Sequence, residues 1–126
     1  MSRNAAAETS LRGRLEAMFV AAGDDPADVE EVVVADRQSA ADFLESCDAE
    51  WFAFFMTRDG SGRFGRVMRR YVFAVGSSPD DAAAELINML RHRVAGAVEL
   101  ARGMGEHAAD DVASFERAIA LFEDKR

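Results

Sequence analysis

The chain has 126 residues, 49% of them hydrophobic and 30% charged, which is the make-up of one folded domain and too apolar for a disordered segment. Its formal net charge of -8 has the wrong sign for a surface that grips duplex nucleic acid. A single cysteine, Cys47, excludes an intrachain disulfide and a cysteine-built zinc site.

Along the chain, residues 9–22 read as an amphipathic helix with Leu11, Leu15, Met18 and Ala22 on one stripe, Thr9 or Ser10 as cap, and Gly23 after its end. Residues 1–8 are expected to fray. Asp25, Pro26 and Asp28 form a helix-start signal. Val29 to Val34 fits two readings. It is either a short buried strand or a continuation of that helix, since Val29, Val32 and Val33 share a helical face. Ser39 to Cys47 reads as helix, with Ala40, Phe43, Leu44 and Cys47 inward.

Residues 51–56, Trp-Phe-Ala-Phe-Phe-Met, are rich in strand formers. After the turn cluster at 59–62, residues 67–75 end in Tyr-Val-Phe-Ala-Val. Period-two alternation makes these the arms of an antiparallel β-hairpin over about 50–75; helical period is the alternative, giving an all-α bundle. The C-terminal part reads clearly. Ser78 caps a helix with Pro79 at its first position, running to about Arg102 with Ala83, Ile87, Leu90, Val94, Ala97 and Ala101 as its stripe. Gly96, Ala97 and Ala101 would let a neighbouring backbone approach. A break at 103–106 precedes a last helix with Ala108, Val112, Phe115, Ile119 and Phe122 on one face. Residues 124–126 are expected to fray. The expected fold is therefore a mainly helical α+β domain over 1–126, with amphipathic helices on a small hairpin and a C-terminal antiparallel helical hairpin.

Charge is uneven. Residues 58–70 carry Arg58, Arg63, Arg66, Arg69 and Arg70 against Asp59 alone, a balance of +4, while the flanking parts are acidic. Guanidinium forks bind carboxylates and phosphates through paired hydrogen bonds, so these five arginines are candidates for contact with an acidic partner. The competing account is that they pair with acids of the same chain. On a strand, Trp51 and Phe55 face one way and Phe52 and Phe54 the other, so both faces are apolar and one needs cover beyond the helices. That makes Trp51, Phe52, Phe54 and Phe55 candidates for self-association into a homo-oligomer.

Catalytic and cofactor motifs are weak. Gly60, Gly62 and Gly65 match the spacing of a dinucleotide loop but lack the strand–helix context. Asp59, Ser61 and Gly62 resemble part of a calcium loop, yet Thr57 and Met68 stand where its end ligands belong. His92 and His107 lie on different predicted helices with no second ligand at i+4. The acidic doublets sit at helix starts, where the macrodipole explains them. No catalytic residue, metal ligand or cofactor is assigned.

No apolar run reaches spanning length and no secretory signal opens the chain, so a cytoplasmic protein without a membrane partner is expected. The sequence thus points to a non-enzymatic protein–protein interaction module, an adaptor or regulator. The alternatives are an acidic nucleic-acid mimic that fills a basic groove, or a small anion-binding protein.

Overall fold

The structure, a computed structural model, describes residues 3–36, 50–58, 71–105 and 109–123. Helix α1 (Ala5–Ala21) is followed by one 3-10 turn (Pro26–Asp28) and strand β1 (Val29–Asp36). Strands β2 (Trp51–Thr57) and β3 (Tyr71–Gly76) come next, then helices α2 (Pro79–Arg102) and α3 (Ala109–Glu123). The strands form one antiparallel sheet in the order β1-β2-β3, so the fold is α+β and mainly helical. Residues 51–57 and 71–76 are strands, which removes the all-α alternative.

The sheet has one strand more than the expected hairpin. Pro26 starts only a single turn, and Val29 to Asp36 extends along β2. A bulge explains the ambiguous pattern. Val29 pairs with Thr57 and Glu31 with Met56, leaving Glu30 extra, so Val29 and Val32 both point inward three residues apart. That spacing mimics a helix.

Helix α1 starts four residues before the expected position. Asn4, not Thr9 or Ser10, is its cap: the Asn4 side chain accepts from the Ala7 N–H at 2.8 Å, and the Asn4 N–H donates to the Val34 carbonyl at 2.8 Å. Residues 3–8, expected to fray, are thereby fixed to β1, and Arg3 bridges Ala35. At the other end Gly23 takes a positive φ of 85°.

One apolar cluster joins every major element. Leu11, Leu15 and Phe19 of α1, Val32 and Val34 of β1, and Ala53 and Phe55 of β2 are buried together. Val72 and Ala74 of β3, Leu86, Leu90 and Val94 of α2, and Phe115 and Ala118 of α3 complete the cluster. Phe19 meets Phe55 edge to face with ring centres 6.4 Å apart, locking α1 onto the sheet. Helix α2 buries Ala82, Leu86 and Val98 besides its expected stripe, because it packs against both the sheet and α3. Arg102 ties α2 to α3 through Glu116 at 2.6 Å, and Arg117 donates to the Ala21 carbonyl at the end of α1. Gly96 is exposed and faces open space rather than a close backbone. Residues 39–47, expected to be helical, Cys47 among them, lie outside the described residues, as do residues 59–70.

Candidate interaction surface

Side chains alternate across a strand, so each strand offers three residues to each sheet face. The inner face carries Val32, Phe55 and Val72 in one row and Val34, Ala53 and Ala74 in the next. The outer face carries the rows Glu31–Met56–Tyr71, Val33–Phe54–Phe73 and Ala35–Phe52–Val75. Eight of these nine outer positions, all except Glu31, are apolar or aromatic. The described helices contribute to the buried cluster on the inner face. On the outer face the aromatic rings are only partly covered: Tyr71 is 55% exposed and Phe73 38% exposed.

Glu31, Val33, Phe52, Phe54, Tyr71 and Phe73 line a shallow groove of about 300 Å³. The Phe54 and Tyr71 rings stack across neighbouring strands, with centres 5.9 Å apart and planes 27° from parallel. Among the described residues Glu31 is the only charged one lining the groove, and its carboxylate feels the charge of Arg3. The groove can therefore hold an apolar side chain and meet a cation at its rim.

The four residues expected to mediate self-association divide between the two faces. Phe52 and Phe54 lie on the outer face, while Phe55 is wholly buried in the core and Trp51 packs against it. The sequence reading missed Tyr71 and Phe73 as surface groups, although period-two alternation through β3 places both opposite Val72 and Ala74.

Of the five candidate arginines, only Arg58 is described. Its N–H donates to the Asp28 carbonyl at 2.9 Å, and its guanidinium Nε lies 3.9 Å from the Asp28 carboxylate. That contact matches the intrachain account of the basic stretch at this one position. Arg63, Arg66, Arg69 and Arg70 lie outside the described residues.

The two edges of the sheet are built differently. The edge of β1 is covered by α1. Besides the Asn4 bond, the Glu8 carboxylate accepts from the Val34 N–H at 2.9 Å, and Arg12 donates to the Val29 carbonyl at 2.9 Å. Arg3 grips Glu8 through two bonds, at 2.7 and 3.1 Å, and reaches the Val32 carbonyl. Burial pushes the Glu8 carboxyl up, but Arg3, the Val34 N–H and the charge of Arg12 outweigh it and hold Glu8 below its ordinary range. The same pair raises the Arg3 guanidinium.

Elsewhere, Arg14, Asn88 and Arg91 border a notch of about 160 Å³ between α1 and α2. No group of three metal-ligating side chains occurs among the described residues. None of the described helices is long and apolar enough to cross a membrane. Comparison with protein families, with curated proteins and with solved structures finds no match.

Proposed function

We propose that this protein is a non-enzymatic protein–protein interaction module whose working surface is the outer face of its sheet. The observation that carries the reading is the groove itself: Tyr71 and Phe73 exposed and Phe52, Phe54 and Val33 half-buried on one face of the sheet, with the Glu31 carboxylate at the rim. Aromatic residues in such a setting are the usual anchors of protein interfaces. The occupant is a protein partner with an apolar contact surface and a basic side chain opposite Glu31. The net charge of -8 steers such a partner toward this chain. The arginine-rich stretch 58–70 lies between β2 and β3 in the sequence. We assign it to a second contact, with acidic groups of the same partner.

The test uses the full chain as bait, wild type beside Glu31→Arg and Phe54→Ser. A partner retained by wild type and lost in both variants supports the reading. A partner retained equally by all three, or none retained by wild type, contradicts it.

A further inference from the structure

We propose that the free edge of β3 is a self-pairing edge, and that two copies of the chain join through it into one six-stranded sheet. The inference concerns an edge, not the outer face, and stands independently of the partner reading.

Backbone direction can be derived strand by strand. In an antiparallel sheet the N–H and C=O of a residue point to the same side, and successive residues alternate. The Val34 N–H and C=O are both taken by α1, so Val34 turns its backbone away from β2. Its partner Ala53, like Phe55 two residues on, then turns toward β3, where Ala74 and Val72 are their partners. Tyr71, Phe73 and Val75 therefore direct their N–H and C=O groups to the other side of β3. Among the described residues no backbone bond reaches them there.

Proteins guard exposed strand edges with charge, proline, bulges or a covering segment, because an open edge recruits another strand. Strand β1 has nearly the whole set: Glu30, Glu31 and Asp36, a bulge, and the cover of α1. Among the described residues strand β3 has none of these, and residues 71–79 are the longest stretch of the chain without a charged side chain. Two molecules each carrying -8 can approach here without opposing like charges.

A second copy is the occupant that this edge fits by itself. A two-fold axis normal to the sheet pairs residues of equal parity and keeps both helical layers on one side. Centred on Phe73, it sets Phe73 opposite Phe73 of the second copy, and Tyr71 opposite Val75 at either end. All three outward-directed residues then find partners, whereas centring on Val72 or Ala74 strands one of them outside the ladder. The ladder is short, well below the roughly 800 Å² per partner of a standard interface, so the dimer is weak and concentration-dependent.

Sedimentation velocity over low to high micromolar protein, with amide exchange followed by NMR on the same samples, tests this. The expected result is a monomer–dimer equilibrium in which the Tyr71, Phe73 and Val75 amides gain protection as the dimer fills. The Val72 and Ala74 amides, already bonded to β2, should not change. Phe73→Lys should weaken the dimer about tenfold or more by opposing two like charges, and mixing it with Phe73→Glu should restore pairing. Thermal melts of both variants confirm that they stay folded. Glu31→Arg should leave the dimer unchanged. A monomer at every concentration, or a dimer in which those three amides stay unprotected, overturns the proposal.

Discussion

Single residues in this fold have distinct and separable jobs. Gly76 ends β3 against the start of α2: a Cβ there would lie 2.5 Å from the Ala82 nitrogen and 2.8 Å from the Asp81 carbonyl carbon. Both atoms are backbone and cannot swing aside. Gly76→Ala should therefore lower stability by about 1–3 kcal/mol, read by chemical denaturation. Gly96 is the opposite case, a helical glycine in open space, and Gly96→Ala should raise stability by about 0.5–1 kcal/mol. Glu8 links stability to pH. Its carboxyl is held below its ordinary value of 4.5, so its contribution is full above that pH and is lost as the pH falls through the lower, folded value. Melting temperature should thus drop on acidification below about pH 4.5. Glu8→Gln should flatten that part of the profile, while an unchanged profile would show that the Arg3–Glu8–Val34 contact contributes nothing.

At the scale of elements, the signals written locally were legible. Ser78 with Pro79 marked the start of α2, and aromatic and β-branched residues at 51–56 and 71–75 marked β2 and β3. What escaped the sequence depended on distant partners. Asn4 is a cap that Thr9 and Ser10 outrank only if α1 is considered without β1, whose Val34 carbonyl anchors the Asn4 N–H. Asn4→Ala should cost about 1 kcal/mol, whereas Ser10→Ala should be close to neutral. In β1, an inserted residue at Glu30 turned a strand's alternation into a helix-like spacing. No local rule separates those two readings, because the bulge is defined by what pairs across it.

For the whole molecule, the sheet divides a helix-covered face from an aromatic one, and the proposed function rests on that division. The alternation of residues 51–56 already places apolar side chains on both sides of β2. It does not resolve which of Phe54 and Phe55 belongs to which side, since alternation fixes only that they differ. The inward choice is set by Phe19 of α1, which packs on Phe55, and by the depth of Val34 and Val72 around it. The arginine stretch stands out in the charge pattern of the sequence, whereas the groove with Glu31 exists only where three strands lie side by side.

These two consecutive phenylalanines provide the most direct measurement: equilibrium unfolding of Phe54→Ala beside Phe55→Ala. The account predicts a loss of about 3–5 kcal/mol for Phe55→Ala, from the core, and only about 1 kcal/mol for Phe54→Ala, from the outer face. Equal losses would mean that the molecule buries its outer face within its own fold and offers no interaction surface there.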